Sequence, residues 1–242
     1  AGLSCAAELA KDGYQVTVFE ARKEPGGVLR YGVVSFRFDT DFLAAEMADI
    51  KGLGVEFKCS SPINGHTGAE DLLKQGYQAV FLAPGLWDAV SLKDTGASIK
   101  GLYSSVKYLE GLRDGKLKSF AGEIENRTVA VIGGGSVAMD CVESAARLGA
   151  KDVYLVYRRS YSQMPAEEDE RIAALRHGIH FLLLNRPVTF VLDENKRIKG
   201  LELIRTSLGG VDASGRRSPV NIKGSEWVLD ADVVIEAIGN KA

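Results

Sequence analysis

Cysteine is scarce. Cys5, Cys59 and Cys141 stand far apart, and no C-x-x-C occurs in the 242 residues. That excludes a disulfide scaffold, a zinc ribbon and a thioredoxin-type redox dithiol, and leaves reduced thiols in a cytoplasmic protein as the expectation. Of the three histidines, His177 and His180 flank Gly178 at an expected helix–strand junction. They read as structural, because a metal site needs three or four convergent ligands. No apolar run approaches the ~20 residues of a membrane span, and no basic, apolar leader opens the sequence. Neither sign of charge is in excess: 30 Lys and Arg face 32 Asp and Glu, a net charge of -2. That balance argues against nucleic-acid and membrane-surface partners. No Ser-His-Asp spacing stands out, so no catalytic side chain and no metal ligand is assigned.

Glycine, in contrast, is plentiful: 27 of 242 residues, about 11% against a usual ~7%. Hydrophobic periodicity alternates between helix and strand, which is the pattern of an α/β protein. Helices are predicted over 2–12, 40–53, 69–75, 104–114, 136–148 and 165–177. Strands are predicted over 15–19, 55–58, 79–82, 128–132, 153–157, 179–184 and 233–237. The apolar run Ala79–Leu82 reads as a strand buried on both faces. Pro165 is expected in the first turn of its helix, with Glu167, Glu168 and Asp169 at the positive end. Residues 188–192 and 198–205 form a hairpin about Asp193-Glu194-Asn195, part of a β-meander inserted before the last strand. Residues 116–126 read as a polar connection, which puts a domain boundary at 115/116.

One pattern occurs twice. Gly2, Cys5 and Gly13 recur as Ala138, Cys141 and Gly149, each offset by 136 residues. Both copies are a small-residue helix, a glycine stop and a β-branched strand. Two Rossmann-like dinucleotide-binding units are therefore expected, residues 1–115 and 116–242, the first lacking its opening strand and turn.

In the second copy, Gly133, Gly135 and Ala138 fit G-x-G-x-x-A between a predicted strand and a predicted helix. Gly133 permits the tight turn, Gly135 lets backbone approach a pyrophosphate, and Ala138 allows close helix–strand packing. The N–H groups at Ser136 and Val137 face the phosphates. The next strand ends in Arg158-Arg159, where an NAD site would carry a carboxylate for the ribose 2′-OH. Two guanidinium groups suit a 2′-phosphate, so NADP(H) is expected here. In the first copy the equivalent strand ends in Glu20, about 18 residues past Gly2, which suits FAD or NAD. A Pro25-Gly26-Gly27 turn follows, where backbone could approach a diphosphate and Arg30 could pair with it.

These motifs carry a resemblance. Gly26-Gly27-Val28-Leu29-Arg30-Tyr31-Gly32 resembles the GGLLRYGIP segment of the glutamate synthase small (β) subunit family, which includes the flavin module of dihydropyrimidine dehydrogenase. Ile132 to Asp140 is similar to that family's IGGGNTAMD, Val156 to Arg159 with Met164-Pro165-Ala166 to its VYRR…MPA, and Ala237-Ile238-Gly239 to its AIG. Three departures stand out: Ser136-Val137 replaces Asn-Thr, Ile-Pro is missing after Gly32, and Ala83-Pro84-Gly85 replaces Ala-Thr-Gly. The resemblance implies a two-dinucleotide-binding flavoprotein that oxidises NADPH. Hydride would pass to FAD, and electrons onward to an iron–sulfur segment or subunit. It implies FAD contacts at Gly2, Glu20, Gly26, Gly27, Leu29, Arg30, Ala83 and Gly85. NADPH contacts are implied at Gly133, Gly135, Ser136, Val137, Arg158 and Arg159, and further cofactor contacts at Ala237, Ile238 and Gly239. It also implies that Gly2 is the last glycine of a turn lying upstream of Ala1, and that a further flavin segment lies beyond Ala242. Two other readings stand beside it: a nucleotide-binding module without turnover, and a thioredoxin-reductase-like enzyme, which the missing C-x-x-C and the Arg158-Arg159 pair oppose.

Overall fold

Helices stop where glycine takes up a left-handed backbone, and this punctuation sets the elements of the computed structural model, which describes residues 1–64, 68–92, 99–113, 117–213 and 215–241. The chain divides into two units, Ala1–Gly85 and Leu86–Ala242. The boundary expected at 115/116 lies outside the described residues. Within the second unit, the stretch before it supplies an edge strand of the main sheet.

The first unit runs α1 (Gly2–Lys11), β1 (Thr17–Phe19), α2 (Gly27–Tyr31), α3 (Thr40–Gly52), β2 (Glu56–Lys58) and α4 (Ala69–Lys74). The β1 and β2 strands pair in parallel, Val18 opposite Phe57. Gly13, at φ +88°, ends the α1 turn. The Asp39 carboxylate caps α3 by accepting from the Asp41 N–H at 2.9 Å. Ala6, Ile50 and Val55 form a small core with Leu3, Val18, Met47 and Phe57 around it.

Ala79–Leu82 departs from expectation. It lies outside any strand, with Phe81 61% and Leu82 67% exposed. An apolar run becomes a buried strand only where a neighbour offers a hydrogen-bonding edge, and the sheet of this unit has two described strands.

The second unit begins with β3 (Asp88–Ala89), β4 (Leu102–Ser104), α5 (Ser105–Arg113), α6 (Leu117–Ile124), β5 (Thr128–Ile132), α7 (Ser136–Arg147) and β6 (Asp152–Tyr157). It continues with a 3-10 turn (Tyr161–Gln163), α8 (Glu168–Arg176), β7 (His180–Leu183), β8 (Asn185–Leu192), β9 (Ile198–Val211), β10 (Arg217–Asp230), β11 (Val233–Glu236) and β12 (Asn240–Lys241). The main sheet is parallel, in the order β4-β11-β5-β6-β7. Strand order reverses around β5 and β11, and that is where a doubly wound sheet opens a crevice at its carboxyl ends.

Alternation along the strands sends the two sets of side chains to opposite faces. Ala130, Ile132, Val156 and Val234 meet Ile198, Leu201, Leu203 and Leu229 from the antiparallel sheet β10-β9-β8. That sheet is the expected meander, enlarged by the long strand β10, which sequence periodicity did not reveal. On the opposite face α7 packs on β5 and β6, with Ala138, Met139, Val142 and Ala145 fully buried.

Three further expectations are corrected. The polar connection over 116–126 contains helix α6 over Leu117–Ile124. Its apolar residues Leu117, Phe120, Ala121 and Ile124 recur at i, i+3, i+4 and i+7, a signal masked by the charged residues between them. Helix α8 starts at Glu168, so Pro165 precedes it; Glu167 is the N-cap, its N–H donating to Glu170 Oε2 at 3.1 Å. After β11 the chain continues into β12, which pairs antiparallel with β3.

Candidate functional site

The second unit brings most of its predicted residues to one end of one sheet. β5 ends at Ile132 and α7 opens at Ser136, so the turn contains Gly133, Gly134 and Gly135. The first two glycines are explained by the protein itself. Gly133 sits at φ +150°, and a Cβ there would run into the Ala237 carbonyl oxygen. A Cβ on Gly134 would lie 2.6 Å from the Tyr157 ring. Gly135 differs: its nearest neighbour would be Pro165 Cγ at 3.7 Å, an ordinary contact. Nothing in the fold requires glycine at 135, so the open space beside it fits a ligand whose backbone contacts a side chain would block. Gly135 is also the N-cap and has no side chain to accept the first-turn N–H groups of α7. The Ala138 N–H donates to the Gly135 carbonyl at 2.9 Å, and the N–H groups of the exposed Ser136 and Val137 stand at the helix start, where no preceding turn supplies an acceptor.

Ala237-Ile238-Gly239 follows β11 beside this turn. The Ala237 N–H donates to the Ile132 carbonyl at 2.8 Å, and the Gly239 carbonyl accepts from the Val90 N–H at 2.9 Å. Met164-Pro165-Ala166 lies against its other side: the Ala166 N–H donates to the Gly134 carbonyl at 3.0 Å. The Tyr157 hydroxyl donates to the Gln163 carbonyl at 2.6 Å, tying the end of β6 to the same segment.

The two arginines after β6 have different fates. Arg158 is exposed and Arg159 is buried. Arg159 Nη2 pairs with Asp212 Oδ2 at 2.6 Å, and its Nε donates to the Arg217 carbonyl at 2.8 Å. Partial desolvation of its otherwise exposed side chain lowers the Arg158 pKa, and the charges of Arg159, Arg186 and Arg216 lower it further, against an opposing contribution from Tyr157. Asp212, Arg186 and Arg216 belong to the meander and were not expected from the sequence. The available signal was the turn Asp212-Ala213-Ser214-Gly215 between two β-rich runs.

The first unit holds its predicted residues in two groups. Gly2 lies at the start of α1, where a Cβ would stand 3.2 Å from the Ala83 Cβ; Gly85 follows at φ +76°. Gly26, the N-cap of α2, and Gly27, its first residue, adopt φ +131° and +54°, and a Cβ on Gly26 would meet Leu43 Cδ2 at 2.8 Å. Leu29 is exposed on α2. Glu20 follows β1, with Oε1 accepting from the Arg22 N–H at 2.9 Å. Arg30 is already engaged: Nη1 pairs with Glu24 Oε2 at 2.7 Å and Nε donates to the Pro25 carbonyl at 2.8 Å. It braces the glycine turn, and a phosphate would have to compete with Glu24 for it.

His177 and His180 sit where structural histidines are expected. His177 Nδ1 lies 4.0 Å from Glu143 Oε2, and His180 stacks on Tyr154 at 5.0 Å. Among the described residues, no helix is long and apolar enough to cross a membrane.

The family described as pyridine nucleotide-disulphide oxidoreductase matches residues 1–242. The chain is 42% identical over 246 residues to the NADP(+)-dependent formate dehydrogenase subunit beta of Moorella thermoacetica, covering 100% of this chain and 34% of that protein. It is 32% identical to the glutamate synthase [NADPH] small chain of Escherichia coli K12, covering 99% of this chain and 52% of that one. It thus spans about a third of the first relative and just over half of the second. The resemblance drawn from the motifs is borne out. Among solved structures, FprA of Mycobacterium tuberculosis in complex with NADPH superimposes with a TM-score of 0.80 at 18% identity, over 98% of this chain and 68% of that one. That likeness bears out the two-unit α/β fold. With a matching family across its whole length, the chain belongs to the pyridine nucleotide-disulphide oxidoreductases.

Proposed function

We propose that this chain is the NADPH-oxidising flavin module of a glutamate-synthase-like oxidoreductase. The observation that carries the reading is the second unit's turn. Gly135 has no packing reason to be glycine, it caps a helix whose first N–H groups, at Ser136 and Val137, meet no preceding turn, and Arg158 stands exposed at the end of the adjacent strand. A pyrophosphate suits the first two features and a 2′-phosphate the third. Two relatives named for NADP(+) and NADPH point the same way.

FAD is assigned to the first unit, through Gly2, Glu20, Gly26, Gly27, Leu29, Ala83 and Gly85, with Arg30 as a brace. Ser136, Val137, Ala237, Ile238 and Gly239 complete the second unit's contacts. When bound, the nicotinamide and flavin supply the hydride chemistry. The protein's own residues bind, orient and exclude water, and none of them need exchange a proton in that step. An iron–sulfur segment or subunit is the onward partner; relatives named as a subunit and as a small chain support a multi-component assembly. Three free cysteines support a cytoplasmic setting.

The test is to purify the full-length protein, measure its flavin content, and add NADPH under anaerobic conditions. Flavin absorbance that bleaches on addition supports the enzyme. A colourless protein that still binds NADPH would make it a nucleotide-binding module without turnover.

A further inference from the structure

Of the two arginines after β6, the one turned inward is held at two points of its fork. The Arg159 side chain is only 5% exposed; its Nη2 meets Asp212 Oδ2 at 2.6 Å and its Nε donates to the Arg217 carbonyl at 2.8 Å. A buried guanidinium needs such partners, because leaving it without a carboxylate is costly. Asp212 is itself fixed within its turn. Its N–H donates to the Arg216 carbonyl at 2.8 Å, and its Oδ1 accepts from the Arg216 N–H at 3.3 Å.

The backbone of the arginine pair is fastened as well. The Arg158 carbonyl accepts from the hydroxyl of the buried Thr206 at 2.8 Å. The Arg159 carbonyl accepts from the Leu184 N–H at 3.1 Å, and the Thr206 N–H donates to the Leu184 carbonyl at 2.8 Å. A further link closes the frame: the Arg217 N–H donates to Gln163 Oε1 at 2.8 Å, and the Gln163 carbonyl accepts from the Tyr157 hydroxyl at 2.6 Å. The point where the Arg158 side chain leaves the backbone is thereby set from the meander. Thr206 lies 48 residues beyond Arg158, and Asp212 lies 53 beyond Arg159.

We propose that Asp212 and Thr206 are positioning residues for nucleotide choice: through Arg159 and through the Arg158 carbonyl they hold the Arg158 guanidinium where it meets the 2′-phosphate. Arg159 is the anchor of the pair and Arg158 the ligand. Such a contact depends on placement, since a guanidinium must present its N–H groups in the plane of the phosphate oxygens. A backbone fixed beforehand also lowers the cost of ordering that side chain on binding. The choice of NADPH over NADH is then set jointly by the parallel sheet, which carries Arg158, and by the insert that braces it. The inference rests on the NADPH reading above.

The experiment measures binding of 2′,5′-ADP and of 5′-AMP to the full-length protein by calorimetry; the two probes differ by the 2′-phosphate alone. Wild-type protein should prefer 2′,5′-ADP. Asp212→Asn and Thr206→Val, which nearly keep side-chain shape, should each cut that preference by about fivefold, while 5′-AMP binding, which reports an intact fold, stays within about twofold. In an Arg158→Gln background the same two substitutions should leave the remaining preference unchanged, because both residues act through Arg158. A preference unchanged or raised in either variant would overturn the inference. So would an equal loss of both probes, or a further drop in the Arg158→Gln background; each of these leaves the NADPH reading standing. No preference in wild type would remove the NADPH reading itself, and the inference with it.

Discussion

α1 and α7 each end on a left-handed glycine, Gly13 at φ +88° and Gly149 at φ +80°, and each hands the chain to a strand parallel to its neighbour. Yet α1 buries only Ala6, while α7 buries Ala138, Met139, Cys141, Val142, Glu143, Ser144 and Ala145. Cys5 is half-buried where its counterpart Cys141 is fully buried. The helix sequences are comparable in character; the sheets beneath them are not. α7 lies on a five-stranded sheet backed by the meander, and α1 belongs to a unit whose sheet has two described strands. How much of an amphipathic helix is buried is decided by the surface offered to it. The strand ends differ in the same spirit: Glu20 follows β1 and Arg158 follows β6, the difference from which we propose different dinucleotides for the two units.

The comparison is broken most severely at the glycines. Gly133→Val combines a left-handed backbone with a clash against the Ala237 carbonyl, and should destabilise the second unit by more than about 3 kcal/mol. Gly26→Ala meets the movable tip of Leu43, so its cost should be smaller, about 1–3 kcal/mol, and should appear as lost flavin. Thermal melts with and without NADPH, read beside flavin content, separate the two. Gly133→Val should abolish stabilisation by NADPH, and Gly26→Ala should retain it. The reverse pattern would mean that the cofactors are assigned to the wrong units.

A gentler probe is thiol reactivity. Burial pushes the Cys141 thiol well above its ordinary pKa, and the Asp140 charge adds to that, so its thiolate is scarce at pH 8. Mapping of alkylated peptides from the native protein should find Cys5 and Cys59 labelled ahead of Cys141, which reacts only after unfolding. Early labelling of Cys141 would show that the second core opens as readily as the first.

Much of this architecture was legible in the sequence because it rests on local rules. Thr128–Ile132 was placed to the residue, since a run of apolar, mostly β-branched residues before a glycine turn has few other solutions. The helix expected over 40–53 spans Thr40–Gly52. The failures were of another kind. Ala79–Leu82 has the composition of a buried strand, but burial depends on a partner edge, which composition does not encode. Strand β10 carries Asn221, Lys223, Ser225 and Glu226, too polar to display a core face, and is held by pairing with β9. At the site, the Arg158-Arg159 motif was visible and the division of labour within it was not. Arg159 is turned inward by Asp212, some fifty residues on, and that contact exists only once the hairpin has folded back. Gly135, singled out by spacing alone, is a glycine that the packing around it does not require.

The central question about the molecule is whether its second unit reads the 2′-phosphate of the nucleotide that reduces the flavin. The most direct measurement is anaerobic stopped-flow bleaching of the full-length flavoprotein by NADPH and by NADH, each below saturation, in wild type and Arg158→Ala. NADPH should reduce the wild-type flavin at least about tenfold faster than NADH, and Arg158→Ala should slow the NADPH reaction by roughly that factor while leaving NADH within about twofold. Equal rates for the two nucleotides in wild type, or an equal loss for both in Arg158→Ala, would contradict that reading.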